Sequence, residues 1–468
     1  MNRPAIRSIL VVGDGIVGLS AALAFRRALP VVEVRVLSIP PDPAALADHF
    51  PATLPAVGRF HASIGLDELD LVRRNVAVHH LGTRFAGGKS DWIHSFGQVG
   101  RGEGAVPFHL IWLAVRQAGA ALPFGDYSTA SVVGGRGKFV HPAGDPGSPL
   151  ATYLYGLRVN PARYRETLLA AVRDVPLITG DLAAVDQTDE GSVAGLRLAD
   201  GSHLEADFYI DCSGPTARLI GAVSDDFEDW SAWLPARHVA YTSQPSDQPE
   251  SLSRIEAIPD GWRLTASAPG TRIEAIVSTR ETPQSTAIRP GRRRNPFVGN
   301  VLAIGDSAVA IDSLHGANLS LAHSAILRAI ALIPGRDFHP LELAEYNRLT
   351  ALETDRARDF HVLFQSQLES AAEPPPSLER TLTQWRSRGR LPFFEEEIYT
   401  EDDWLQLLIG LDVIPDAVAP AAEVIDCTAA SRAMADLAAE IAALAQRLPT
   451  YADYLTHMRA APPGNRPR

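Results

Sequence analysis

The sequence predicts an α/β chain: a doubly wound, Rossmann-like domain with an inserted antiparallel sheet, followed by a helical C-terminal region. Three observations carry this. Residues 8–12 form an apolar run ending in Gly13-Asp14-Gly15-Ile16-Val17-Gly18, with an Ala/Leu stretch over 19–29 and a β-branched run over 31–37. Residues 226–290 alternate apolar and polar side chains, as in Arg272-Ile273-Glu274-Ala275-Ile276-Val277, the pattern of a half-buried antiparallel sheet. Beyond Leu321 the apolar spacing is mostly helical.

The N-terminal segment supplies strand, glycine turn, helix and strand within about thirty residues, as a dinucleotide-binding βαβ unit requires. Residues 40–55 are Pro/Ala-rich and read as loop, and 56–74 as helix. Residues 85–149, rich in Gly, Trp, Phe and His, read as loops and short strands without helical period. Residues 161–172 read as an amphipathic helix, 193–204 as a hairpin around Asp200-Gly201, and 208–210 as a buried strand. Residues 301–304 form another buried strand that ends at Gly305-Asp306. The later helices are interrupted by Glu373-Pro374-Pro375-Pro376 and close on an Ala-rich helix over 432–448. The expected organisation is one domain over 1–335, with its interleaved sheet at 85–150 and 226–290, and a helical domain over 336–468.

Composition narrows the function. The 468 residues hold 43 Lys+Arg against 55 Asp+Glu, a net charge of −12, with 46% hydrophobic and 21% charged residues. That acidic balance argues against a nucleic-acid binder, which normally presents a basic face. Asp14, Arg26 and Arg27 interrupt the apolar N-terminal run, so neither a membrane span nor a signal peptide is expected. With only Cys212 and Cys427, no disulfide framework or Cys-rich metal site can form, and a reducing, cytoplasmic setting is expected. The composition leaves a homodimer open.

Each glycine of the turn has a separate job. Gly13 permits the tight turn, Gly15 lets a pyrophosphate approach the backbone, and Gly18 lets the helix pack on the strand. The helix N-terminus offers free N–H groups and partial positive charge to phosphates. The acid expected at the end of the second strand, where it would hold ribose hydroxyls, is replaced by Ser38. A second signal comes from Gly305-Asp306. A flavin is long and needs a contact distant in sequence, and an Asp there accepts hydrogen bonds from ribityl hydroxyls. The bland alternative makes Asp306 a helix N-cap. Together the two signals favour FAD. The dense basic run Gly291-Arg292-Arg293-Arg294 reads as a solvated loop face. Most of Trp92, Trp112, Trp230, Trp233 and Trp262 read as core, and Cys212 as buried and inert.

At this point the chain resembles the flavin-dependent tryptophan halogenases, a branch of the FAD-dependent monooxygenases. Asp207-Phe208-Tyr209-Ile210-Asp211-Cys212-Ser213-Gly214 is similar to the family's D-x-x-I-D-C-S/T-G strand. Gly82-Thr83-Arg84-Phe85, Asp91-Trp92 and His94-Ser95-Phe96-Gly97 resemble its L-G-x-R-F … W … H-P-F-G stretch. Asp312-Ser313-Leu314 through Ile326, then Tyr346-Asn347-Arg348, Arg358-Asp359-Phe360 and Thr400-Glu401-Asp402-Asp403-Trp404, follow in the family's order. The resemblance implies FAD, a separate flavin reductase, an aromatic small-molecule substrate and chemistry through flavin hydroperoxide.

The departures redirect the expected chemistry. The resemblance places an active-site Lys before Leu81-Gly82, where this chain has His80. It places a Glu after Leu314, where this chain has His315, followed by Gly316 and Ala317 rather than Ser and Thr. The tryptophan-rich W-x-W-x-I-P signature is reduced to Trp262-Arg263-Leu264-Thr265-Ala266. The strap G-x-G-E-A-T-I-P keeps only Ala52-Thr53-Leu54-Pro55, after Asp48-His49-Phe50-Pro51. An imidazole is shorter than an ammonium side chain and mostly neutral near pH 7. His80 and His315 are the catalytic candidates. Gly13, Gly15, Gly18, Ser38, Gly305, Asp306, Gly316 and Ala317 are the cofactor-binding candidates. No metal set is expected, because His79 and His80 are strand neighbours on opposite faces. These departures favour oxygenation or oxidation of an indole-like aromatic, with halogenation second and a ligand- or protein-binding member with a decayed flavin site third.

Overall fold

A computed structural model describes residues 5–86, 91–312, 316–366 and 373–460. The chain divides into two compact units, one of residues 1–71, 159–240 and 277–358, the other of 72–158, 241–276 and 359–468.

The first unit is built on β1 (Ser8–Val12), α1 (Ile16–Ala28) and β2 (Glu33–Ser38). β1 pairs in parallel with β2 and with Phe208–Asp211, and that strand pairs in parallel with Val301–Ala303. Phe297–Val298 lies at one edge and Leu177–Thr179 at the other, giving six strands. Parallel strands are covered on both faces, which explains why β1 and Phe208–Asp211 are apolar throughout rather than alternating. Leu10, Val12, Leu37, Leu196, Tyr209, Leu219 and Val301 are all fully buried in its core.

Asp211 shows how the D-C-S-G turn is held. Its buried carboxylate accepts from Ser213 N and Oγ at 3.0 and 2.6 Å, and from Leu219 N and Ile220 N at 2.8 and 2.9 Å. A buried carboxylate with four donors is satisfied, so Asp211 fixes the turn that follows the strand.

The second unit has five neighbouring strands: Thr271–Ser278, Gly261–Ala268, Leu252–Ile258, β4 (Gly82–Ala86) and β5 (Trp92–Ser95). They follow β3 (Ala77–His80), whose partner strand is Gly156–Val159. Leu252–Ile258 runs antiparallel to Gly261–Ala268 but parallel to β4, so the inserted sheet is mixed at that point. C-terminal helices Pro376–Arg388, Glu401–Gly410, Cys427–Arg447 and Tyr451–Ala460 complete the unit. Thr400 and Asp403 form a reciprocal capping box on the second of these.

Three expectations need correction. Residues 85–149 contain real helices, Phe108–Gln117 and Thr129–Gly135. Leu110, Ile111, Trp112, Leu113 and Val115 of the first are all buried, and this nearly unbroken apolar run resembles a buried strand in sequence. The helix expected over 56–74 is two, Val57–Ile64 and Glu68–Arg73, because Gly65 terminates the first at φ +70°. The run Gly291-Arg292-Arg293-Arg294 is not a solvated loop face. Gly291–Arg293 is a strand, and Arg292, 9% exposed, bonds Asp355 at 2.9 Å and approaches Glu228 at 3.1 Å. Among the described residues no helix is long and apolar enough to cross a membrane.

Candidate functional site

In the first unit, the glycine turn is sterically enforced. Gly13 sits at φ +116°, and a Cβ there would lie 2.8 Å from the carbonyl carbon of Cys212. A Cβ on Gly18 would lie 2.8 Å from the carbonyl carbon of Gly13, so only glycine lets α1 approach the turn. Cys212 beside them is buried and its thiol is pushed well up by burial, so it is inert as expected.

Ser38 lies at the end of β2, and its hydroxyl donates to Asp14 Oδ2 at 2.6 Å. Arg165 holds the same carboxylate, with Nη2 at 2.6 Å from Oδ2 and Nε donating to the Asp14 carbonyl at 2.9 Å. A carboxylate is thus present beside the end of β2, on the glycine turn rather than on the strand. Asp14 Oδ1 is buried and has no hydrogen-bond partner.

Asp306 is not a helix N-cap; it lies within the single turn Gly305–Ser307. Its Oδ2 accepts from Ala47 N at 3.2 Å, and its Oδ1 is buried without a partner. Burial pushes its pKa to about 7, and the charge of Asp48 adds to that shift. Gly305, at φ +73°, lets this turn pack on α1, since a Cβ there would lie 2.9 Å from Val17 Cγ1. Gly316, at φ +71°, is the N-cap of Ala317–Ala331 and packs against Ala52 of the strap. Ser320 Oγ of that helix accepts from Leu54 N at 2.9 Å. Ala317 is fully buried. His315 lies outside the described residues.

The residue that sequence reasoning passed over is Asp48. It lies on the short helix Leu46–His49, inside the segment read as loop. Its Oδ1 accepts from the backbone N–H of Ile16, in a short contact, and from that of Val17 at 3.4 Å. A carboxylate of the chain itself therefore occupies the N-terminus of α1, where dinucleotide folds seat a pyrophosphate. Burial raises the Asp48 pKa to about 6, although both N–H bonds pull it down. The unpartnered Asp14 Oδ1 and Asp306 Oδ1 are acceptors suited to ribose and ribityl hydroxyls, and the glycine cradle suits a pyrophosphate. The residues present fit FAD on one condition: Asp48 has to leave α1.

The second unit holds His80, at the end of β3, 3% exposed. Its Nε2 lies 3.1 Å from Ser253 Oγ, and Ser253 Oγ accepts from Arg158 Nη2 at 2.6 Å. Arg158 comes from Gly156–Val159 beside β3, and Ser253 from Leu252–Ile258 beside β4. Burial pushes the His80 pKa well below its ordinary value, reinforced by the Arg158 guanidinium, with the Gly82 backbone opposing. His80 is neutral. Its neighbour His79 faces elsewhere, stacked on Phe139 at 4.2 Å.

The Phe96 ring stands edge-on to His80, at 5.4 Å and 80°. Beside it, His94 is buried, and its Nε2 is 3.0 Å from the Asp403 carbonyl oxygen. Ser95 bonds Gln406 through both its backbone N–H and its hydroxyl, each at 3.0 Å. Trp112, Trp230 and Trp262 are core residues, as expected. An open groove of about 750 Å³ in this unit is lined by Arg84, Trp92, Trp112, Phe124, Arg136 and Gln406 among others, and its lining does not include His80.

A family model described as tryptophan halogenase matches residues 8–427. The fold is similar to BrvH, a flavin-dependent halogenase from Brevundimonas sp. BAL3, at 29% identity and a TM-score of 0.89, covering 97% of this chain and 99% of that one. It is similar to Xcc4156, a flavin-dependent halogenase from Xanthomonas campestris, at 25% identity and a TM-score of 0.89, covering 98% and 99%. Tryptophan 7-halogenase RebH of Lentzea aerocolonigenes is 23% identical over 486 residues, covering 89% of this chain and 91% of that protein.

Proposed function

Because the chain belongs to the tryptophan halogenase family, whose cofactor is FAD, we propose that it is a flavin-dependent halogenase of an electron-rich, indole-like aromatic. Reduced FAD comes from a separate reductase. The overall balance takes reduced FAD, dioxygen, a halide, a proton and an aromatic C–H to oxidised FAD, the aryl halide and two waters. FAD supplies the reducing equivalents that activate dioxygen.

The chain's own residues bind and orient. Gly13, Gly15 and Gly18 with the N-terminus of α1 receive the pyrophosphate, Asp14 and Ser38 the ribose, and Asp306 the ribityl hydroxyls. His80 is the polar group at the position of the family's lysine, with Phe96 as an aromatic wall 5.4 Å from it. The match of the tryptophan halogenase family model over residues 8–427 is the observation that carries the reading. The relatives move halogenation ahead of oxygenation, the reverse of the order expected from His80 and His315. Oxygenation of the same aromatic stays as a second reading, favoured by the neutrality of His80, which lacks the charge of an ammonium.

The experiment supplies FAD, a flavin reductase, NADH, dioxygen and chloride or bromide to the purified protein with a panel of indoles and phenols. Catalase and a hypohalite scavenger control for uncatalysed reaction. Regioselective, halide-dependent aryl halide supports the proposal, and hydroxylated product independent of halide replaces it with oxygenation. Free tryptophan is expected to give little product. General acid–base groups contribute roughly 10²–10⁴-fold each, and two positions differ here. NADPH without the reductase is expected to bleach the flavin slowly; rapid bleaching in stopped flow would place the chain among single-component hydroxylases.

A further inference from the structure

We propose that Arg158 and Ser253 are positioning residues that lock His80 as a neutral hydrogen-bond donor through Nδ1. This rests on His80 being the polar group of the active site. The inference follows from counting protons. A guanidinium only donates, so Ser253 Oγ accepts the 2.6 Å bond from Arg158 Nη2. Ser253 is 1% exposed, and Arg158 and His80 are the hydrogen-bond partners of its hydroxyl among the described residues. Its single hydroxyl hydrogen therefore has one acceptor to go to, His80 Nε2 at 3.1 Å. The opposite arrangement, with Nε2–H donating to Oγ, would leave both the buried hydroxyl hydrogen and the Nδ1 lone pair without partners, against a single unpartnered N–H in the first, and is the costlier state. With the Nε2 lone pair used, the ring hydrogen of neutral His80 is on Nδ1, which has no hydrogen-bond partner.

The guanidinium has a second effect. Arg158 is buried, and its pKa, lowered by burial to about 10, still leaves it charged at neutral pH. A fixed cation behind the ring disfavours imidazolium and polarises Nδ1–H outward. The titratable groups acting on His80 are Arg158 and His94, and Asp403 faces His94 with Oδ1 at 3.8 Å from Nε2. His80 so held cannot accept a proton from substrate: one nitrogen already carries hydrogen and the other is engaged by Ser253. The one hydrogen the ring can donate is Nδ1–H, which is buried in this state, with the Gly82 backbone also acting on the ring. Charge and donor sit on two side chains, Arg158 behind and His80 in front.

The test uses full-length protein labelled with ¹⁵N-histidine and two-bond ¹H–¹⁵N correlation spectra. Wild type is expected to show His80 neutral and in the Nδ1–H form from pH 6 to 8.5. Ser253→Ala is expected to release the tautomer toward a mixture, Arg158→Lys to preserve it, and Arg158→Met to raise the His80 pKa by at least one unit. Thermal melts identify any variant that fails to fold, and Ser253→Ala, which deletes one oxygen, keeps the test open if Arg158→Met does not fold. Where turnover is measurable, Ser253→Ala should lower kcat about tenfold with KM changed less than about twofold. An Nε2–H tautomer in wild type, or a tautomer and pKa unchanged in both Ser253→Ala and Arg158→Met, overturns the proposal. The spectra need no turnover. A locked tautomer without aryl halide removes the halogenase reading alone, whereas aryl halide with an Nε2–H tautomer removes the relay alone.

Discussion

The glycine cradle of the first unit and the buried surroundings of His80 in the second depart from the family pattern in opposite ways. In the cradle the motif is intact, Gly13, Gly15 and Gly18 each sterically required or closely approached, yet a carboxylate of the chain fills the place of the ligand's charge. Around His80 the signature residue has changed, yet the replacement is tightly organised by Ser253 and Arg158. An intact backbone motif reports shape, and only the side chains around it report whether that shape is available. A changed side chain reports lost chemistry only if nothing nearby compensates.

Gly15→Val should break the comparison most severely. A Cβ at Gly15 would lie 2.8 Å from Asp48 Cγ and 2.9 Å from Pro41 Cγ, leaving no room for a ligand against the backbone. Fluorescence titration is expected to show FAD affinity falling at least about 100-fold, equivalent to ~2.7 kcal/mol. If FAD still binds, the nucleotide is seated elsewhere.

His80→Lys tests whether the second site has drifted or been rebuilt. Returning the lysine puts an ammonium beside a buried guanidinium, so the variant should lose about 3 kcal/mol of stability. Halogenation should not rise. A stable, faster variant in thermal melts and product assays would mean that Arg158 does not act on this position.

Asp48→Asn sharpens the other side. At pH 8 its FAD affinity should exceed wild type by about tenfold, since an anion no longer competes with the pyrophosphate. The sign with pH follows from the raised pKa of about 6. Wild-type Asp48 is charged above that value and neutral below it, so wild-type affinity should climb more steeply as pH falls through 6 than that of Asp48→Asn, in which Asp306 still titrates near 7. Without FAD, a carboxyl raised from 3.8 to about 6 contributes stability below 3.8 that is lost as pH rises through 6. The melting point of wild type relative to Asp48→Asn should fall over that window.

The smallest expected effect is at Tyr164→Phe, which removes the 2.8 Å bond between Tyr164 OH and His61 Nε2 in the first unit's core. A loss of about 1 kcal/mol and a melting point lower by a few degrees is expected. FAD affinity should not change.

How much of this is legible in sequence depends on how far each partner lies along the chain. The βαβ start was legible because strand, turn and helix are contiguous, and so was the buried strand that ends at Gly305-Asp306. The helices Phe108–Gln117 and Thr129–Gly135 were not: the first opens on an unbroken run of buried residues over 108–113, and the second is short and ends in two glycines. Asp48 reaches Ile16 across 32 residues, and Ser253 reaches His80 across 173. No local pattern encodes such contacts. The Arg292 pairs fail for the same reason: Glu228 and Asp355 lie on distant elements. One signal was available for Asp48, an acid standing at a glycine position of the strap.

Asp48 also bears on how the cofactor is used over a cycle. An enzyme whose flavin is reduced on another protein has to load and discharge that flavin at every turnover, so tight retention would limit its rate. If Asp48 returned to α1 as a pyrophosphate left, the vacated N–H groups would regain an acceptor and the discharged state would cost little. On the proposed function, FAD would behave as a co-substrate in exchange with the medium, and turnover should track the free concentration of reduced flavin.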